Sequence, residues 1–229
     1  MIVSPALIFD LDGTLVDTAP DILGALNAVL VREGRRPLGR ADIPYLVGHG
    51  ARAMLNEALV RTGGPVSDAR GLELTNAYIE HSRTHICDKS RPFPGVEKTL
   101  AHFLEMGARL GVLTNKPQEL AEPLLEALGL ERYFLAIHGA GRFSWSKPDA
   151  RVFHRVVEEL GGAGAGAIMI GNSSTDAMTA RAANVPLILL TYGYTPDPVE
   201  TLGADAVTSD FTALPGLVAQ ILDACTLAR

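Results

Sequence analysis

Two carboxylates spaced two apart, Asp10 and Asp12, stand in the string Phe9-Asp10-Leu11-Asp12-Gly13-Thr14, directly after the apolar run Ala6-Leu7-Ile8-Phe9. The run predicts a buried parallel strand. Residues i and i+2 of an extended chain point to the same side, and ligands of parallel sheets bind beyond the carboxyl ends of the strands. Two like charges placed there repel each other unless a cation or a proton comes between them. The pair therefore implies a bound metal or an acid/base couple, although a plain strand end followed by a capped turn would produce the same residues. Gly13 permits a tight turn and a close approach of backbone to an anion. Three later segments put polar groups at predicted element ends: Leu113-Thr114-Asn115, Lys147-Pro148 and Gly171-Asn172-Ser173-Ser174-Thr175-Asp176. Taken singly, Thr114 reads as a strand-end hydroxyl capping the next helix and Lys147 as a solvated surface lysine. Only four of the twenty basic residues are lysines, namely Lys89, Lys98, Lys116 and Lys147. In so arginine-rich a chain, a retained lysine is the better candidate for a task that arginine cannot perform.

Taken together and in this order, the four segments resemble the motifs of the haloacid dehalogenase superfamily in its phosphatase form, and they span residues 7 to 176. The resemblance implies a Mg²⁺-dependent phosphatase acting on a small phosphorylated metabolite. Asp10 would attack phosphorus and become an aspartyl phosphate, and Asp12 would protonate the leaving oxygen and then activate water. Thr114 would donate a hydrogen bond to a phosphoryl oxygen, and Lys147 would bring a compact positive charge to the phosphate and to Asp10. Mg²⁺ would be held by Asp10, the backbone carbonyl of Asp12, Asn172 and Asp176. Asn172 is the main departure, because the family pattern usually carries an aspartate there; the amide can ligate only through a neutral oxygen.

The segments Val47-Gly48-His49-Gly50-Ala51-Arg52, Pro92-Phe93-Pro94-Gly95-Val96 and Val112-Leu113-Thr114-Asn115-Lys116-Pro117 resemble phosphoglycolate phosphatases, which makes 2-phosphoglycolate the expected substrate. Its carboxylate calls for a cation, with His49, Arg52 and Lys116 as candidates and Asn115 beside them as a further substrate contact. Tyr45 and Tyr78 carry no specific signal. Thr114 counts against a phosphomutase, which usually has serine there, and Asp12 counts against a dehalogenase. A weakly active or inactive phosphate-binding protein stays open because of Asn172.

The elements that must position these groups can be outlined from pattern. After the first strand, Ile22, Leu23, Leu26, Val29 and Leu30 form the stripe of a helix over 17–34, with Asp17 or Thr18 as cap and Pro20 in its first turn. Residues 40–91 read as further helices with no convincing strand. From 96 onward, helices at 96–106, 118–128, 149–160, 175–183 and 213–225 alternate with strands at 109–113, 134–138, 167–170, 186–191 and 205–208. Such alternation predicts an α/β fold: a doubly wound parallel sheet covered on both faces. The expected division is a core of residues 1–16 and 93–229 with a helical cap, 17–92, inserted after the first strand. The Gly161-Gly162-Ala163-Gly164-Ala165-Gly166 run follows a helix and opens a strand. That order is the reverse of a dinucleotide loop, so it reads as a flexible connection.

The 229-residue chain is 47% hydrophobic and 20% charged, enough to bury a real core. Its formal net charge of -6, with no offsetting basic cluster, argues against nucleic acid as a partner. Cys87 and Cys225 read as free thiols of a reducing compartment. No stretch approaches a membrane span, and Met1 to Ala6 does not read as a signal peptide. The expected location is therefore cytoplasmic.

Overall fold

The computed structural model describes residues 4–162 and 166–227, without the side chains of 226 and 227. Met1–Val3, at the head of the segment read as lacking a signal, and residues 163–165 of the glycine-rich run lie outside the described residues. The chain begins with β1 (Ala6–Phe9), β2 (Val16–Asp17), α1 (Ala19–Arg32), α2 (Ile43–Leu46), α3 (Ala51–Gly63), α4 (Asp68–Thr84) and β3 (Arg91–Pro92). It continues with α5 (Val96–Glu105), β4 (Arg109–Pro117), α6 (Gln118–Ala127), β5 (Ala136–Ala140), α7 (Ala150–Glu159), β6 (Ala167–Gly171), α8 (Ser174–Ala183), β7 (Leu187–Leu190), β8 (Ala206–Thr208) and α9 (Leu214–Leu227).

Six strands form one sheet in the order β5-β4-β1-β6-β7-β8, and every pairing within it is parallel. From β1 the chain builds outward through β4 to β5, then returns to the other side of β1 with β6. The strand order therefore reverses beside β1, and the carboxyl end of β1 opens at that switch point.

The two faces of the sheet follow the period of two along each strand. Leu7 and Phe9 of β1 pack with Leu110, Val112, Ile168 and Ile170 under α5, α6 and α9. Ala6 and Ile8 point to the opposite face, where Phe153 and Val156 of α7 and Ala177 and Ala180 of α8 cover Met169, Leu187 and Leu189. Both faces of the sheet are thus covered by helices, so the doubly wound α/β reading holds. Phe153 is completely buried, and truncating such a side chain to alanine costs on the order of 3–5 kcal/mol.

The helices between β2 and β3 have their own apolar cluster, built from Ile22, Leu26, Val29 and Leu30 of α1, Leu55 and Leu59 of α3, and Leu74 and Tyr78 of α4. Tyr194, which follows β7, joins this cluster from the sheet side. The chain leaves the sheet along β2 and returns along β3, and these two short strands pair antiparallel, Val16 with Pro92 and Asp17 with Arg91. The strand at 91–92 corrects the reading of 40–91 as free of strands. A two-residue strand containing proline has neither the length nor the alternation that pattern can detect. The predicted strand 109–113 also runs further, to Pro117, because Thr114, Asn115 and Lys116 continue the extended backbone while carrying polar side chains.

Among the described residues no helix is long and apolar enough to cross a membrane. Cys87 and Cys225 are free thiols.

Candidate active site

Asp10 is the first residue past β1, and its N–H is donated to the carbonyl of Ile170 at 2.9 Å. It is 5% exposed, and Thr114, Lys147 and Asn172 are comparably buried at 3%, 4% and 2%. These groups arrive from four places: the ends of β1, β4 and β6, and the loop before α7. Asp149 caps α7 by accepting the N–H of Arg151 at 2.9 Å, which holds that loop against the helix start.

Lys147 organises the centre. Its Nζ lies 2.8 Å from Oδ1 of Asp10 and 2.6 Å from Oδ1 of Asp176. Burial works against the ammonium, but the attraction of Asp10 and Asp176 outweighs it, so its pKa is raised and it stays charged. Burial pushes the Asp10 carboxyl up to about 7; Lys147 opposes this, while Asp176 and Asp12 add to it. Without a further cation, one ammonium is shared by two buried carboxylates. That arrangement favours the arrival of more positive charge.

Asp176, expected as a metal ligand, is held by protein groups on both of its oxygens. Its second oxygen accepts the N–H of Asn172 and of Ser173, each at 3.0 Å, and the Ser173 hydroxyl at 2.8 Å. With Lys147 on the first oxygen, both are engaged, and Asp176 is completely buried. It braces the turn from β6 into α8 and holds Lys147.

Asp12 faces Lys116, whose Nζ lies 3.1 Å and 3.5 Å from its two carboxylate oxygens. The Thr114 hydroxyl accepts the Lys116 N–H at 3.1 Å. Asn115 donates to the carbonyls of Gly48 and Lys147 at 2.9 Å and 3.1 Å, tying the loop before α3 to the end of β4. Its own Oδ1 is buried and has no hydrogen-bond partner among the described residues. Asp10, Asp12, Thr114, Asn115, Lys116 and Lys147 line one cavity of about 30 Å³, roofed by Gly48, Met54 and Tyr78 from the helical insert.

His49 and Arg52 are not brought to this cavity. His49 lines a neighbouring cleft with Tyr45, Arg61 and Thr195, and its Nδ1 is 3.4 Å from the Thr175 hydroxyl. Arg52 turns back onto α4, donating to the Asp68 carbonyl at 3.0 Å. It packs so closely on Gly71 that a Cβ there would lie 2.8 Å from its Nη2. The physical reason is local: α3 turns this face towards α4.

Three further contributors were not singled out as site residues from the sequence. Tyr78 of α4 forms part of the roof. The Tyr194 hydroxyl donates to Asp17 and accepts the Ala19 N–H at 3.1 Å, at the foot of α1. Thr14 exchanges a hydrogen bond with the Asn172 amide at 2.8 Å. Thr14 stands in the first segment quoted above, and the Tyr-Gly-Tyr-Thr-Pro string just past β7 offered a cue to Tyr194, since strand ends in such sheets face the ligand.

The groups suited to a cation are Asp10, the Asp12 carbonyl and Asn172, all hard oxygen donors. Among the described residues no three or more His, Cys, Asp or Glu side chains gather as a metal site. One carboxylate with neutral oxygens and waters suits Mg²⁺, which typically keeps several waters and is completed by substrate phosphate.

A family model described as haloacid dehalogenase-like hydrolase matches residues 7–190. A phosphoglycolate phosphatase of Caulobacter vibrioides is 43% identical over 217 residues, covering 95% of this chain and 92% of that protein. One from Agrobacterium fabrum is 44% identical over 211 residues, covering 92% of this chain and 91% of that protein. The crystal structure of a predicted phosphoglycolate phosphatase from Haemophilus somnus superposes with a TM-score of 0.88 at 25% identity, over 95% of this chain and 99% of the other.

Proposed function

The chain belongs to the haloacid dehalogenase-like hydrolase family, and from that premise we propose that it hydrolyses 2-phosphoglycolate, with Mg²⁺, through an aspartyl phosphate on Asp10. That it is a phosphoric monoester hydrolase, similar to phosphoglycolate phosphatases, follows from the family and from relatives sharing 43% and 44% identity. The named relatives favour a working hydrolase over an inactive phosphate binder.

One observation carries the finer reading. Asp10 sits at the switch point of the sheet with Lys147 at 2.8 Å on one oxygen, while Asp12 stands in the same cavity. An oxygen of Asp10 attacks phosphorus, and the bond from phosphorus to the ester oxygen breaks. Asp12 gives its proton to the departing alkoxide. It then takes a proton from water, whose oxygen attacks the same phosphorus. The bond to Asp10 breaks, and inorganic phosphate leaves with the carboxylate restored. Lys147 offsets the charge gathering on phosphoryl oxygens, and Thr114 donates its hydroxyl to one of them. Asp176 keeps Lys147 and the β6–α8 turn in place. When bound, Mg²⁺ supplies positive charge that masks the repulsion between nucleophile and phosphate; Asp10, the Asp12 carbonyl and Asn172 would hold it.

Gly48, Met54 and Tyr78 of the inserted helices lie directly over the cavity, so a bulky ester would meet them. We read those helices, residues 17–92, as a cap over the core formed by 1–16 and 93–229. Lys116 lines the cavity as a cation that can meet the second carboxylate, and Asn115 lines it with a buried acceptor. A small phosphorylated metabolite as substrate suits the cytoplasmic location proposed here. The test is a panel of phosphomonoesters assayed with Mg²⁺ and with chelator. The account expects 2-phosphoglycolate to give the highest kcat/KM and chelator to abolish turnover. Undiminished turnover in chelator, or preference for a large sugar phosphate, contradicts it.

A further inference from the structure

The side chain of Asn172 is wedged in a tight cradle. A Cβ on Gly193 would lie 2.3 Å from Asn172 Cβ, and one on Gly13 would come within 3.0 Å of the side-chain amide. Three groups face that amide: the Asp12 carbonyl, the Thr14 hydroxyl and the Tyr194 N–H. The hydroxyl serves either orientation, donating to Oδ1 or accepting from Nδ2 at the same 2.8 Å. The other two discriminate, because a carbonyl only accepts and a backbone N–H only donates. With Nδ2 towards Asp12, the amide donates to the carbonyl at 3.1 Å and its oxygen accepts the Tyr194 N–H at 3.0 Å. With Oδ1 towards Asp12, two acceptors face each other at 3.1 Å and two donors at 3.0 Å. That second orientation needs positive charge against both oxygens and leaves the Tyr194 N–H without an acceptor.

We propose that the Asn172 amide is a two-position switch: without a cation its NH₂ group stands in for the metal at the Asp12 carbonyl, and binding of a divalent cation turns it over. The inference rests on the Mg²⁺ assignment above. An aspartate in this place could not make the first arrangement, since both its oxygens are acceptors when ionised. Asparagine therefore satisfies the metal-free site and makes the cation displace a hydrogen bond before it binds. The turn also frees the Tyr194 N–H, and Tyr194 is the residue whose hydroxyl holds Asp17 and Ala19 where α1 begins. Metal occupancy is thereby linked to the joint between the sheet and the inserted helices.

The switch is read directly from the Asn172 side-chain resonances of the ¹⁵N-labelled full chain, assigned by connectivity. Without cation the NH₂ pair should be protected from solvent exchange. Saturating Mg²⁺ should shift the pair and reduce that protection by about tenfold or more, the loss expected from one buried hydrogen bond. Calorimetry on the wild type and on Asn172→Asp gives the second arm. The variant should bind Mg²⁺ about tenfold tighter or more, and should melt at lower temperature than the wild type when both are metal-free. Cation binding with unchanged amide signals overturns the switch and leaves the Mg²⁺ assignment standing. A metal-free Asn172→Asp protein more stable than the wild type overturns it as well. Absence of binding to either protein removes the Mg²⁺ assignment and the switch together.

Discussion

The ammonium of Lys116, at the end of β4, lies 3.1 Å from Oδ1 of Asp12, 104 residues earlier in the chain. Both side chains are about nine-tenths buried, at 8% and 11% exposure. The pair couples the residue expected to handle protons to the residue expected to meet the substrate carboxylate. Burial disfavours the Lys116 ammonium, but Asp12 and then Tyr78 more than compensate, so its pKa is raised and it remains charged.

Replacing Lys116 by Met should therefore harm an acidic substrate twice over. It removes the cation that meets the carboxylate and leaves Asp12 without its partner. The expected loss in kcat/KM is about 100-fold or more for 2-phosphoglycolate, the range for truncating a buried charged hydrogen bond. Phenyl phosphate should lose about tenfold less. Steady-state kinetics on both substrates decides the matter; equal losses would confine Lys116 to holding Asp12.

Arg52 and His49 should behave differently from Lys116. Arg52→Ala removes a brace between α3 and α4 and should lower stability by about 1 kcal/mol. Both Arg52→Ala and His49→Ala should leave kcat/KM for 2-phosphoglycolate within about threefold of the parent, since neither side chain lines the cavity. Denaturant melts and kinetics on the two variants check this. A carboxylate-selective loss in His49→Ala would mean that the Gly48–Gly50 loop swings inward during turnover.

His138 provides a pH-dependent stability term remote from the catalytic cavity. Its ring is completely buried, with Nε2 2.7 Å from Glu159 and Nδ1 without a partner among the described residues. Burial lowers its pKa below the usual 6.5, although Glu159 pulls the other way. A folded-state pKa below the unfolded value means that the unfolded chain binds the proton more readily. The contribution is therefore present above pH 6.5 and is lost as pH falls through the lower folded-state value. Asp10, with its raised pKa, acts with the opposite sign, so the difference between parent and variant is what isolates His138. The stability advantage of the parent over His138→Gln should be greater at pH 7.5 than at pH 5. An advantage that grows on acidification would show that the ion pair with Glu159 dominates.

Much of the sheet was legible because buried parallel strands are short apolar runs and their polar ends mark where ligands bind. Asp10, Asp12, Thr114 and Lys147 were legible as candidates for that reason, and the structure brings them together around one cavity. What stayed hidden depends on tertiary direction. Helical pattern places Arg52 on α3 but does not tell which neighbour its face meets, and α4 takes it. Asp176 reads as one more carboxylate near the metal until the turn from β6 into α8 shows both its oxygens engaged. Tyr194 stands 175 residues from the Ala19 N–H that it accepts, so no local pattern could connect them. The two-residue ribbon of β2 and β3 is likewise defined only by its pairing across the whole insert.

The central claim is that phosphorus passes through Asp10. The most direct measurement is acid quenching of the enzyme during turnover of 2-phosphoglycolate with Mg²⁺, followed by peptide mass spectrometry of the segment containing Asp10. The account predicts a phosphoryl adduct on Asp10 that vanishes in Asp10→Asn, together with loss of turnover in that variant. A phosphoryl group on any other residue, or near-normal turnover by Asp10→Asn, would contradict it.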